Sequence, residues 1–368
     1  MILTVGPVAH GGHFVARTAE GQVVFVRHAL PGERVRVEVT EDDGRFLRAD
    51  AVEVLEASPH RVVAPCPLAR PGGCGGCDFQ HVAPDHQREL KAAVVREQLQ
   101  RLARLDRTVE VEAVPPVLHW RSRMQYVPLP DGRRGLRKHR SHEVIPVAEC
   151  LIAAPDAREP HEGVLVEHVV CASGAHAFEV AAAGFWQVHP AAPATLVDAV
   201  TGMLQPRSGE RSLDLYAGVG LFSAFLAGHG PVVAVEGDRL AASYAERNLA
   251  GAPDARVVHG RVDQVLQRGL GPTSGRDRRP GFDLVVLDPP RAGARRKVVD
   301  AVARLRPRAV AYVACDPAAL ARDVAYFAEA GYGLRELRAF DLFPMTHHVE
   351  CVALFEPAAG GPAQSPER

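Results

Sequence analysis

A doubly wound α/β fold, preceded by a small OB-like β-barrel and a cysteine-bearing α+β segment, is the architecture the sequence predicts. Three observations predict it. Residues 1–58 hold short alternating strands broken by Gly, Pro and Asp turns. Beyond residue 191, helical stretches alternate with continuous apolar runs, the mark of a parallel sheet buried on both faces. Between them lies a strand- and turn-rich region with five of the seven cysteines.

In the first unit, residues 1–58, Val23-Val24-Phe25-Val26 and Arg34-Val35-Arg36-Val37-Glu38-Val39 are separated by turns at Leu30-Pro31-Gly32 and Glu41-Asp42-Asp43-Gly44, which suits an OB-like barrel. The second unit, residues 59–190, opens on a cysteine-rich stretch. It continues into residues 85–105, where Leu90, Val94, Leu99, Leu102 and Leu105 make a helical apolar face expected to pack on the third unit. From Val111 it turns to strands. The third unit, residues 191–357, carries the strands Ser212-Leu213-Asp214-Leu215, Pro231-Val232-Val233-Ala234-Val235, Asp283-Leu284-Val285-Val286-Leu287 and Ala309-Val310-Ala311-Tyr312-Val313 between helices. Residues 267–280, rich in Gly and Arg, read as a long exposed loop, and 358–368 as a disordered tail.

The composition narrows the function. With 368 residues, 47% hydrophobic and 24% charged, the chain can bury sizeable cores. No stretch approaches the ~18–20 uninterrupted apolar residues of a membrane span. Met1-Ile2-Leu3-Thr4-Val5-Gly6-Pro7 lacks the features of a secretory signal, so a reducing, cytoplasmic setting is expected. Seven cysteines in that setting point to metal or catalysis before disulfides. A net charge of −1 excludes a globally basic nucleic-acid binder. Locally, Arg121, Arg123, Arg133, Arg134, Arg137, Lys138 and Arg140 stand against Asp131 alone, either a solvated hairpin face or a binding stripe.

Two strand ends carry a nucleotide-type signal. Leu213-Asp214-Leu215 runs into Tyr216-Ala217-Gly218-Val219-Gly220-Leu221 and a helix, so backbone can approach a ligand at the carboxyl end of the sheet. The next strand ends at Glu236, which can accept both hydroxyls of a ribose. Ser223 stands where a dinucleotide fingerprint has its third Gly, which demotes a nicotinamide cofactor. Asp288-Pro289-Pro290-Arg291-Ala292-Gly293 follows the fourth strand and aims a carboxylate into the same crevice. The fifth strand ends in Ala314-Cys315-Asp316-Pro317 before a helix, a place that favours a thiolate. Glu350, in Thr346-His347-His348-Val349-Glu350-Cys351, is either surface decoration or a base held in the site, and the adjacent histidines are structural or substrate-facing.

At these residues the sequence resembles the S-adenosylmethionine-dependent RNA (uracil-C5) methyltransferases over nearly its whole length. Ser58-Pro59-His60-Arg61-Val62, Phe185-Trp186-Gln187-Val188, the Tyr216–Gly220 turn, the Asp288–Gly293 turn, Cys315-Asp316-Pro317 and Thr346–Glu350 carry the resemblance. It implies a class I (Rossmann-like) methyltransferase domain behind a TRAM barrel, with Gln187, Tyr216, Gly218, Gly220, Glu236 and Asp288 around S-adenosylmethionine. It further implies Cys315 as nucleophile and Glu350 as proton acceptor in making 5-methyluridine. The chain departs from the family pattern at Asp316, where Asn is common, at Ala319, where Thr is common, and at His189, where Asn is frequent.

Cys66-x7-Cys74-x2-Cys77, with Cys150 downstream, supplies four thiolates, enough for a [4Fe–4S] cluster or a tetrahedral zinc. The resemblance implies the cluster, although the first gap is two residues longer than the family's usual five. Members with this cysteine set act on 23S ribosomal RNA, the expected partner, and relatives act on tRNA. A catalytically inactive RNA-binding module is the alternative from another class. No protein partner and no membrane are implied.

Overall fold

The computed structural model describes residues 1–270 and 281–358, so most of the expected 267–280 loop and the 358–368 tail lie outside the described residues. The N-terminal strands form a six-stranded sheet in the order Ile2–Thr4, Arg34–Asp42, Phe46–Glu56, Val23–Arg27, His13–Arg17, Val8–Ala9. All its pairings are antiparallel except that of Val23–Arg27 with Phe46–Glu56. Alternation sets its inner face: Phe14, Val24, Val26, Val35 and Ala49 are buried, while Arg34, Arg36 and Glu38 between them are exposed. Glu33 is buried beneath this sheet, where it accepts both Nε and Nη2 of Arg61 at 2.6 and 2.7 Å and ties the barrel to the segment that follows.

The helix Pro84–Ala103 starts with Pro in its first turn, where no N–H is lost, and stops at Arg104 in the left-handed region. Leu90 and Val94 complete the barrel's core, while Ala92, Val95 and Leu99 enter the core of the large sheet. Leu102, expected on the apolar face, is exposed. A helix wedged between two cores buries two flanks rather than one stripe, and its last turn projects beyond the barrel. Residues of the central region form small sheets: Val127–Pro128, Arg134–Arg137 and Val144–Pro146 in one, Arg121–Arg123 with Ala153–Arg158 in another, and a hairpin of Val164–Cys171 with Gly174–Ala181.

The large sheet has eight strands, in the order Ala255–His259, Val232–Glu236, Ser212–Leu215, Leu284–Leu287, Ala309–Ala314, Glu350–Pro357, Tyr332–Asp341, Val111–Ala113. The first five are mutually parallel, and Glu350–Pro357 runs antiparallel to both neighbours. Apolar cores cover both faces, which is why these strands read as continuous apolar runs, and the expected α/β fold class is the one observed. Chain direction across the sheet reverses between Ser212–Leu215 and Leu284–Leu287, the switch point at which an open α/β sheet leaves a crevice. The Val111–Ala113 strand, which the sequence places in the central region, pairs parallel with Tyr332–Asp341 at the edge of this sheet. A three-residue edge strand has too little local pattern to reveal a partner so distant in sequence.

Candidate active site

Three carboxylates converge on the switch point. Asp214 is fully buried and accepts both the backbone N–H and the hydroxyl of Ser223 on Oδ2, at 3.0 and 2.6 Å, while its Oδ1 has no partner among the described residues. Tyr216 takes a positive φ of 64°, and Gly218 and Gly220 continue the turn at 56° and 91°, the left-handed region where glycine alone is unstrained. That turn brings the Gly218 N–H to Glu236 Oε2 at 2.8 Å, and the Asp238 N–H reaches Oε1 at 2.6 Å. Glu236 is thereby fixed with acceptor capacity left for hydroxyl donors. Asp288 continues the ladder, donating its N–H to Leu215 O at 3.2 Å. Burial, with Asp214 and Glu236 adding to it, pushes the Asp288 carboxyl up to about 7, and burial pushes Asp214 up to about 6. A desolvated crevice with surplus negative charge and an orphaned carboxylate oxygen is built to receive a cationic group with N–H donors. Gln187 lies half-buried on the connection into the helix Ala192–Leu204, with no hydrogen-bond partner among the described residues.

The sheet register sets the next pair. Ala314 is directly opposite Cys351 in the antiparallel ladder, so Cys315, one residue on, faces Glu350, one residue back. The two side chains therefore share the carboxyl end of the sheet with Asp288. Glu350 is buried, and burial followed by Asp288 raises its carboxyl well above the ordinary range, with Arg291 opposing. Cys315 differs from the expectation drawn from its helix N-terminus: burial, then Glu350 and Asp288, push the thiol up to about 12. Two nearby carboxylates and desolvation outweigh a helix dipole whose effect is confined to one turn. Asp316 caps the helix Pro317–Glu329, its Oδ1 accepting the Ala319 N–H at 2.8 Å, and its Oδ2 lies 3.1 Å from His10 Nε2 of the barrel.

Cys315 opens into a cavity of about 170 Å³ whose walls come from every part of the chain: His10, Gly11 and Gly12 from the barrel, Lys91 from the Pro84–Ala103 helix, and Arg291, Asp316, His347 and His348. For scale, an apolar cavity of about 150 Å³ holds benzene. Gly12 is required by close approach, since a Cβ there would lie 2.7 Å from His347 Cβ. Lys91 is fully buried and donates to Asp341 Oδ1 at 2.5 Å and to Phe343 O at 3.1 Å. The sequence reading missed this pair, the His10–Asp316 contact and the Asp78–His347 contact, which join residues 250, 306 and 269 positions apart. No local pattern encodes such pairs.

A second, larger cavity of about 620 Å³ is lined by Cys66, Cys74, Cys77 and Cys150 together with Arg121, Arg137, Lys138 and Arg140 of the basic stretch. Gln80 Nε2 donates to Cys77 Sγ at 3.3 Å and the Gly76 N–H to Cys74 Sγ at 3.4 Å. Among the described residues no three His, Cys, Asp or Glu side chains gather closely enough to hold a metal ion. The four thiols surround a space rather than converge on a point. Cys351 is buried in the core of the large sheet and Cys171 ends a hairpin strand.

The TRAM domain family matches residues 2–52, and the tRNA (Uracil-5-)-methyltransferase family matches residues 278–357. The chain is 47% identical to an "Uncharacterized RNA methyltransferase" of Streptomyces avermitilis, over 97% of this chain and 98% of that one. A Streptomyces coelicolor protein of the same description is 46% identical over 97% of this chain and 93% of its own. Among solved structures, the Pyrococcus abyssi tRNA (uracil-54, C5)-methyltransferase in complex with S-adenosyl-L-homocysteine has a TM-score of 0.71, covering 96% of this chain and 100% of that one at 22% identity, a likeness of fold.

Proposed function

The chain belongs to the S-adenosylmethionine-dependent RNA (uracil-C5) methyltransferases with a TRAM domain, and on that premise we propose that it makes 5-methyluridine in 23S ribosomal RNA through a covalent adduct between Cys315 and the base. The observation that carries the mechanism is the cross-strand placement of Cys315 beside Glu350 at one end of the sheet. Uracil C5 is too weak a nucleophile to take a methyl group directly. Addition of the Cys315 thiolate to C6 makes C5 an enolate carbon that can attack an electrophilic methyl group; once C5 carries the methyl, Glu350 takes the remaining C5 proton and the electron pair left behind re-forms C5=C6 and expels the thiolate. S-adenosylmethionine supplies the methyl group as an electron-poor sulfonium. Glu236 would accept the ribose hydroxyls, and Asp214 Oδ1, which has no partner among the described residues, would accept from the amino group. Asp288 completes the anionic wall, with Gln187 and the Tyr216–Gly220 turn enclosing the rest.

The base must leave its stack to reach a cavity of about 170 Å³, so a flipped or looped-out uridine is the expected substrate. Barrel residues His10 and Gly12 line that cavity, which supports a role for the TRAM domain in holding the flanking RNA. We assign the four cysteines to a [4Fe–4S] cluster rather than zinc, on the family resemblance and because all four line one cavity of about 620 Å³. Its role is to brace the basic stretch that shares the cavity. Purified without oxygen, the protein is expected to carry about four iron and four sulfide per chain; stoichiometric zinc without iron would reverse the assignment. Among the described residues no helix is long and apolar enough to cross a membrane.

Nucleoside mass spectrometry of ribosomal and transfer RNA from cells with and without the gene tests the whole reading. Loss of 5-methyluridine from 23S rRNA is expected. Loss confined to tRNA would move the target, as the second family match favours, and no loss in either pool would favour an inactive binding module.

A further inference from the structure

His347 stands in the wall of the Cys315 cavity with one ring edge already committed. Its Nδ1 lies 2.6 Å from Asp78 Oδ2, and its backbone N–H donates to the same oxygen at 3.2 Å. A carboxylate oxygen accepts and does not donate, so the proton of the imidazole sits on Nδ1. Asp78 is itself anchored: its N–H and that of Phe79 both donate to Met345 O at 3.0 Å, on the loop that carries His347. Arg27 Nη2 also lies 3.9 Å from Asp78 Oδ1, so the carboxylate is shared between two partners. In the neutral ring the lone pair is then on Nε2, which has no hydrogen-bond partner among the described residues. His347, held in this way, lines the same cavity as Cys315, with the Arg291 guanidinium also in the lining.

Uracil offers two carbonyl acceptors flanking one donor, N3–H; cytosine has no proton at N3 and shows a lone pair there instead. We propose that His347 Nε2 accepts N3–H of the target uracil and thereby makes the pocket select uracil over cytosine. This rests on the uridine-methylating reading above. With cytosine, two lone pairs would face each other in a confined site, and a buried acceptor left unmatched is costly. Asp78 is the positioning residue, since it chooses the tautomer.

The test is kcat/KM at pH 8 on two synthetic RNA hairpins that carry the mapped target position, one with uridine and one with 3-methyluridine, which has no N3–H. Wild type is expected to prefer uridine by about 100-fold or more. His347→Ala lowers the uridine value by about 10- to 100-fold and leaves the 3-methyluridine value unchanged, so the preference nearly vanishes. His347→Gln, whose amide oxygen can accept, restores most of it and keeps a partner for Asp78. Because both RNAs are compared within one variant, a partly unfolded preparation cancels from the ratio. Equal losses on both RNAs, the mark of a purely structural role, would overturn the proposal. So would an unchanged uridine value, the mark of mere bulk at N3. Failure of the wild type to methylate the uridine hairpin would instead overturn the reading of function, and this proposal with it.

Discussion

Cys315→Ala is expected to abolish methyl transfer and the RNA–protein adduct, a loss on the order of 10⁴-fold or more, while binding of S-adenosylhomocysteine persists. The two effects separate because the groups assigned to the cofactor, Asp214, Glu236 and the Tyr216–Gly220 turn, are held by their own contacts with Ser223, Gly218 and Asp238 and make none to Cys315. Removing one sulfur therefore leaves the cradle intact. The thiol's state in the free protein adds a second reason for the size of the effect. Desolvation and the carboxylates of Glu350 and Asp288 hold Cys315 up at about 12, protonated and unreactive at neutral pH. A cationic methyl donor held beside Asp288 would offset part of that negative charge and lower the thiol's pKa. An alanine variant that kept even a tenth of wild-type turnover would overturn the covalent route, and calorimetric titration with S-adenosylhomocysteine would show whether the cradle had survived.

How much of this was legible in the sequence follows from the range of each interaction. The Ser212–Leu215, Val232–Glu236, Leu284–Leu287 and Ala309–Ala314 strands announced themselves because strands buried on both faces must be apolar throughout. The Gly218 and Gly220 turn and the Asp288 turn were legible because a positive φ and a rigid bend each demand particular residue types. What the chain hid were the contacts that assemble the pocket from separate units. His10 meets Asp316, Asp78 meets His347 and Lys91 meets Asp341 only because the barrel and the Pro84–Ala103 helix dock against the large sheet. Each of these side chains, read locally, is an unremarkable surface charge. Leu102 fails in the same way, since a helix serving two cores need not bury every residue of one stripe. The thiol of Cys315 was misjudged because the helix that follows it is visible in sequence, whereas Glu350 enters only through the antiparallel register of Ala314 with Cys351.

Glu350→Gln separates the last step from the first. With Gln at this position the thiolate can still add to C6 and the methyl group can still move to C5, but nothing takes the C5 proton. The methylated adduct should then accumulate as a protein–RNA band that survives denaturing electrophoresis, and turnover should fall by about 10²- to 10⁴-fold. The same substitution has an opposite effect on stability. Burial raises the Glu350 carboxyl well above its ordinary value of 4.5 in the folded chain, so above that pH the folded state binds more protons than the unfolded one. Wild-type stability therefore declines as pH rises from 4.5 towards the folded value, and the neutral glutamine, nearly the same shape, removes that decline. The variant should melt at a higher temperature than wild type at pH 8 and differ least near pH 4. An active site that holds a carboxylate against desolvation gives up stability for chemistry, and replacing the carboxylate returns it. Normal turnover with no trapped band would remove Glu350 as the base, and a lowered melting temperature at pH 8 would mean that the carboxylate is stabilised by partners rather than strained by burial.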